Sequence, residues 1–559
     1  MKKLGLVTSF ILMGSMLFAQ GIKEGKQFLN YERYQSAENV FQKLLTAKPD
    51  DEQAAYWLGQ SYLDPNRVPA PDTAKAKDLY QKFLQANPKS ALIMVGIGEI
   101  ELMHGNKTDA RNRFETAINM TKKRDLPDIL YAVGRANIEP KNGDIAYGID
   151  KLKQAAEKDK KNAEIYNEIG YGYWKLHDGA NATINYQTAL SLDPTDARAS
   201  FMIGRIFETQ GYGQENVYMR YYQDAMREDP NFAPVYYWLY AYYYDRDVNK
   251  AADYLNKYSA IADNDSKLCY LKASLNYVSK KYPETITQAD ACINGTNEPF
   301  PNLYGLKGYA YDKMGDSLKA RQSFEKFFSL VDPDKIGPTD YSTYGKILMQ
   351  FPGEEAQGES FIEKGLALDT IPAQKVKTIT DIAKSFAAKN NFAEAGKWYG
   401  KILGVDTNYN KTDLYYAGYN DLRAGNFTTA DSVFKLYQKK YPSDVYGWYL
   451  GARAEEGIDT AQTGLAKPLY EKVISIADTT QDKASIKPFV IPAYRYMLAY
   501  YYNTLHNTDS AIVYNNKILE VDPTDATALK TKDALEAVVK QQKEAADKAS
   551  KPAATPKKK

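Results

Sequence analysis

Residues 162–194 read NAEIYNEIGYGYWKLHDGANATINYQTALSLDP. Apolar or small residues recur at helical spacing, first Ile165, Ile169, Gly170 and Tyr173, then Ala182, Tyr186 and Ala189. His177 ends the first helix, and Pro194 ends the unit because proline cannot continue a helix. The same pattern returns along the chain. Gly170 to Gly204 is 34 residues, Gly98 to Gly134 is 36, and Ala395 to Ala430 is 35. A steady period of that length marks a repeat array, in which one unit cannot bury its apolar face alone and neighbours must stack.

The unit resembles the tetratricopeptide repeat, a helix–turn–helix of 34 residues. The matching residues are small ones at the helix crossing, aromatics beside them and a closing proline. One unit has Gly25, Phe28, Ala37, Phe41 and Pro49; the next has Gly59, Tyr62, Ala76, Tyr80 and Pro88. Others have Gly308, Tyr311, Ala320 and Phe324, or Gly418, Ala430, Phe434 and Pro442. Small residues let the two backbones approach, and the rings fill the space beside them. The resemblance implies an all-α fold, a right-handed α-solenoid of stacked helix–turn–helix units running from about Gly21 to about Asp525. Thr285 and Gly148 stand where alanine is expected, and the unit from Thr339 to Asp369 is the poorest match, with Lys364 at a small-residue position.

The ends read differently. Residues 1–19 have a basic start (Lys2, Lys3) and an apolar run from Leu4 to Phe18, the pattern of a cleaved signal peptide. The expected organisation is then an N-terminal array over 20–328 with a proline-rich loop at 64–73, a hinge at 329–340, and a C-terminal array over 341–525. A polar capping helix follows at 526–547, and a tail at 548–559, rich in Lys, Pro and Ala, is expected to stay disordered. The expected setting is export to the periplasm or the periphery of the outer membrane. No Cys near residue 19 accepts a lipid, and no later segment is apolar enough to span a bilayer.

Composition narrows the chemistry. Lys and Arg total 72 against 70 Asp and Glu, so no basic surplus exists to hold a nucleic-acid backbone. Three isolated histidines leave little for a metal or acid–base site, and no phosphate loop, Cys pair at metal spacing or serine elbow occurs. No cofactor, metal site or catalytic residue is expected, and an enzyme reading has little support.

Tyrosine is the anomaly, with 47 in 559 residues. In tetratricopeptide proteins certain first-helix positions face a concave groove. That register places Tyr56, Tyr131, Arg135, Tyr171, Trp174, Arg198, Phe201, Arg205, Tyr237, Tyr244, Tyr270, Tyr277 and Tyr309 there, with Tyr415, Tyr419, Trp448, Tyr496 and Tyr500 further on. Tyr and Trp offer large, rigid contact area with a polar tip, which suits recognition. Taken singly, each ring reads more readily as packing against the next repeat; taken as a stripe, the set reads as a binding face. The same register puts Cys269 and Cys292 on facing sides of one hairpin, where a disulfide is expected in an exported chain, the alternative being two buried thiols. The reading is a non-enzymatic protein–protein interaction scaffold of the cell envelope that holds a partner protein or extended peptide in the Tyr-rich groove. The alternative is a glycan-binding protein using the same rings.

Overall fold

The computed structural model describes residues 20–68, 70–211, 213–296, 299–405 and 407–549. The proposed signal peptide and the last ten residues of the proposed tail lie outside them. Every element among the described residues is helical. Two compact units divide between Ile336 and Gly337, inside the stretch read as a hinge.

Among the described residues, unit 1 holds nine helical hairpins. The first pairs residues 20–30 with Tyr34–Ala47, and the ninth pairs Asn302–Met314 with Ser317–Leu330. Unit 2 holds five, from Pro338–Leu348 with Glu355–Leu368 to Lys483–Ala499 with Thr508–Val521. The helix Ala526–Ala549 packs on the last hairpin as a cap. Each unit is an α-solenoid of tetratricopeptide hairpins.

The crossings show why the small residues recur. Ala182, Ala320, Ala395 and Ala430 are wholly buried between paired helices. A Cβ on Gly308 would sit 2.6 Å from the Phe324 ring, and one on Gly418 would sit 2.7 Å from Phe434. The ring at each crossing fills the volume that a side chain on the facing glycine would need. Such fully buried rings contribute about 1.5–3 kcal/mol each. The turns between paired helices repeat too. Glu32, His177, Lys280, Asn390 and His506 take φ between +52° and +60°, while Gly105, Gly315 and Gly425 fill the same place without strain. His177 and His506 are therefore turn residues. Helix starts are capped by aspartates such as Asp51, Asp178, Asp196 and Asp316, whose side chains accept backbone N–H bonds.

One register differs from the sequence reading. In the hairpin after Ile336, Gly365 rather than Lys364 takes the small-residue place, and Lys364 is exposed. A longer turn containing Gly353 shifts the second helix. Gly345 and Gly358 then face each other so closely that a Cβ on either would lie within 2.6 Å of the other's carbonyl oxygen. This hairpin, the poorest match to the repeat in sequence, is tightly crossed.

Candidate functional site: the aromatic faces of the two units

In unit 1 the predicted groove side chains are held by their neighbours. Phe201 is 7% exposed and packs against Tyr222 and Phe232, each 5.7 Å away, so it offers no contact face; that expectation is corrected. Trp174 packs on the cluster around Ala182 and Tyr186. The Arg205 guanidinium stacks 3.4 Å from the Trp238 ring centre, and Trp238 donates its indole N–H to Glu208. Tyr171 is half-buried beneath Lys175, and burial pushes its hydroxyl pKa up.

Further along, Lys267 lies 4.4 Å above Tyr237. Tyr244 donates to the Ser274 carbonyl at 2.9 Å and accepts from the Ser274 hydroxyl at 2.8 Å. Tyr270 meets Phe300 edge-on at 5.1 Å, Tyr277 lies 6.2 Å from Tyr309, and Tyr309 meets Phe324 at 5.1 Å. Tyr237, Tyr244, Tyr270 and Tyr277 thus meet the following hairpin or the residues leading into it, while the Tyr309–Phe324 pair lies within the ninth hairpin. Cys269 and Cys292 are joined in the eighth hairpin, their Cα atoms 5.9 Å apart.

The first helices of the fourth, fifth and sixth hairpins carry a charged cluster of which the repeat register gave Arg135 and Arg198 but not Glu168. Arg198 Nη1 is 2.7 Å from Glu168 Oε1, and Arg135 Nε is 3.7 Å from the same oxygen. Glu168 is 1% exposed. Burial pushes its pKa up, but Arg198 and Arg135 outweigh that and hold the carboxyl below its usual range. Arg198 is therefore a structural counter-ion as well as a wall of the cleft beside it. That cleft, of about 540 Å³, also borders Lys26, Trp57, Tyr131 and Asn167.

Unit 2 is arranged differently. Tyr415 and Tyr419 stack 5.3 Å apart on one first helix. Tyr415 reaches Tyr446 on the next at 5.9 Å, and Tyr446 meets Phe489 on the third at 4.8 Å. Phe489 also meets Tyr449 at 5.3 Å, and Tyr496 stacks with Tyr500 at 6.4 Å. The result is an aromatic ladder across three consecutive hairpins. Tyr416, edge-on to Tyr415 at 5.3 Å, and Tyr446 keep 40% and 44% of their surface exposed. A cleft of about 410 Å³ opens beside Tyr496 and Tyr500, edged by Glu456, Asp459, Gln462 and Asn503. The repeat register placed Tyr415, Tyr419, Trp448, Tyr496 and Tyr500 on this face. It missed Tyr446, Tyr449 and Phe489; Phe489 lies between Pro488 and Pro492 of an atypical long helix.

Among the described residues no group of His, Cys, Asp or Glu is placed to hold a metal ion, and no helix is long and apolar enough to cross a membrane. Tetratricopeptide repeat models match residues 22–70 and 301–330, in register with the first and ninth hairpins. This is a tetratricopeptide repeat protein. The chain is 23% identical over 280 residues to BBSome complex member BBS4 of Bos taurus, covering 49% of this chain and 51% of that protein, so it spans about half the length of this relative. Among solved structures it is similar to the C-terminal part of a TPR repeat-containing protein from Cytophaga hutchinsonii, with 25% identity, 47% and 98% coverage and a TM-score of 0.33. It is also similar to the APC/C hetero-tetramer Cut9–Hcn1, with 16% identity, 92% and 89% coverage and a TM-score of 0.29. Tetratricopeptide arrays serve as protein-interaction scaffolds, and the fold supports that role here.

Proposed function

We propose that this chain is a non-enzymatic scaffold of the cell envelope that binds a partner protein or extended peptide, and that the ladder of unit 2 is the face that binds it. One observation carries the reading: a continuous run of rings crosses three hairpins with Tyr416 and Tyr446 open to solvent. A large exposed apolar patch with polar tips is the composition of an interaction site. The envelope setting rests on the signal-like start of the sequence.

The test is in-cell cross-linking and co-purification of the native chain beside a Tyr415→Ala, Tyr446→Ala, Phe489→Ala variant. A defined protein partner that is lost from the folded variant supports the reading. Partners indifferent to the variant overturn it. Release of the bound component by soluble glycan assigns the rings to sugar stacking instead.

A further inference from the structure

The ladder of unit 2 does not stop at Phe489. Phe489 meets Tyr449, and Tyr449 meets the buried Tyr470 edge-on at 6.4 Å. Tyr470 lies 4.7 Å from Tyr496, and the planes of Tyr496 and Tyr500 are 7° apart. Ring by ring, the ladder runs into the cleft of about 410 Å³ between the fourth and fifth hairpins of unit 2. One wall is the turn that follows the helix Val445–Ile458; the other is the end of the helix Lys483–Ala499 with the wide turn Tyr500–Thr504. Thr504 donates its hydroxyl to the Gln462 carbonyl at 3.2 Å, which ties the two walls together. Gly464 lies so near Tyr500 that a Cβ there would sit 2.4 Å from the ring. The fold itself shapes this cleft, and an occupant displaces no part of the chain.

Among the described residues, the lining holds two carboxylates, Glu456 and Asp459, and no Lys or Arg. Asp459 accepts four hydrogen bonds, from the backbone N–H groups of Thr463, Gly464 and Leu465 and from the Thr463 hydroxyl. Desolvation pushes its pKa up, but these bonds outweigh it and hold the carboxyl at about 2. All four donors are neutral, so they fix the anion without cancelling its charge. Glu456 accepts from the Tyr470 hydroxyl at 2.9 Å, and Arg453 Nε lies 3.3 Å from its other oxygen. Two carboxylates therefore stand against one guanidinium, beside the parallel rings of Tyr496 and Tyr500. Ring faces attract a cation through their quadrupole and carboxylates attract it through charge, and a planar guanidinium uses both. A neutral sugar could stack on the rings but would leave the charge unbalanced.

We propose that this cleft takes an arginine side chain of the partner, at the end of the aromatic ladder. The inference rests on the reading of the ladder as a partner-binding face and adds the partner's chemistry. The bound segment lays apolar side chains along Tyr415, Tyr446 and Phe489 and places one guanidinium between Glu456, Asp459 and the rings of Tyr496 and Tyr500. The charge requirement at one end selects the partner and fixes its direction on the ladder.

The probe is the peptide acetyl-Gly-Arg-Gly-amide, titrated against the full chain by saturation-transfer NMR at low salt, where exposed charge is least screened. The same peptide with citrulline in place of arginine keeps the shape and loses the charge. The native chain should bind the arginine peptide at least about tenfold more tightly than the citrulline peptide. Glu456→Gln removes one charge from the cleft and should cut that preference to about threefold or less, and Tyr500→Ala should weaken the arginine peptide by about threefold or more. Three results overturn the proposal: no binding of the arginine peptide, equal binding of the two peptides, or a preference unchanged in both variants. Should either variant lose its native helical circular dichroism, Asn503→Lys, a base placed at the exposed edge of the cleft, takes its place and must weaken the arginine peptide. Partner capture through the ladder without an arginine preference would overturn this inference alone. An arginine preference without such capture would overturn the ladder reading alone.

Discussion

Unit 1 and unit 2 carry the same signal in sequence, tyrosines at groove positions of tetratricopeptide hairpins, and use it in opposite ways. In unit 1 the rings are engaged from within: Tyr237 lies under Lys267, Tyr244 is bonded to Ser274, and Phe201 is buried. In unit 2 the rings line up across three hairpins and two of them face solvent. Repeat number accounts for part of this. Nine hairpins bring the first back to the fifth, seventh and eighth, so that unit 1 contacts itself. A groove position is therefore not yet a binding position; the neighbours brought to it decide.

The comparison can be broken first at Glu168. If unit 1 is held on buried charge, Glu168→Gln leaves Arg198 without its counter-ion and Arg135 with Glu139 alone, and costs about 3 kcal/mol, read as a fall in the melting of unit 1. The sign with pH follows. The folded pKa lies below the unfolded value, so this stabilisation is present above the usual carboxylate range and is lost as pH falls through the folded pKa. A variant that melts like the native chain at pH 7 would show the cluster to be well hydrated. Reduction of Cys269–Cys292 comes next. Releasing that loop should cost about 2–4 kcal/mol in unit 1 and nothing in unit 2, seen as one shifted transition in calorimetry with and without reductant.

Glu99 gives a smaller effect of opposite sign. Burial raises its pKa to about 7, while Gln60 donates to it at 2.5 Å. The stability linked to its proton is present below the unfolded pKa of about 4.5 and is lost as pH rises through about 7. Glu99→Gln should therefore stabilise unit 1 by about 1–3 kcal/mol at pH 8 and leave it unchanged at pH 4. Equal melting shifts at both pH values would contradict a buried, protonatable Glu99. The smallest effect is expected in unit 2. Tyr446→Ala should change stability by less than about 0.5 kcal/mol, because a half-exposed ring gives little to the fold. A large loss would make Tyr446 packing and not surface.

The fold was legible because its cause is local. The small residue at each crossing and the ring facing it recur every 34 to 36 residues, and each hairpin is decided by a few positions such as Ala182 with Tyr186. The misread register near Lys364 has a local cause too, the longer turn at Gly353. The site was legible only in part. Position in the repeat identified Tyr415, Tyr419, Tyr496 and Tyr500, but Phe489 lies toward the N-terminus of the long helix Lys483–Ala499, between Pro488 and Pro492 and ahead of the positions the repeat register reads. The contact of residues 26–36 with Glu164, Asp229, Asp263 and Lys267 was invisible, because periodicity gives each hairpin's neighbours and not how far the array turns.

A photo-cross-linking residue placed at Tyr446 or at Tyr237, with the products identified by mass spectrometry from intact cells, tests the central contrast most directly. The account predicts a defined second protein joined at Tyr446, and at Tyr237 chiefly products within the chain itself. A second protein captured at Tyr237 with none at Tyr446 would contradict it.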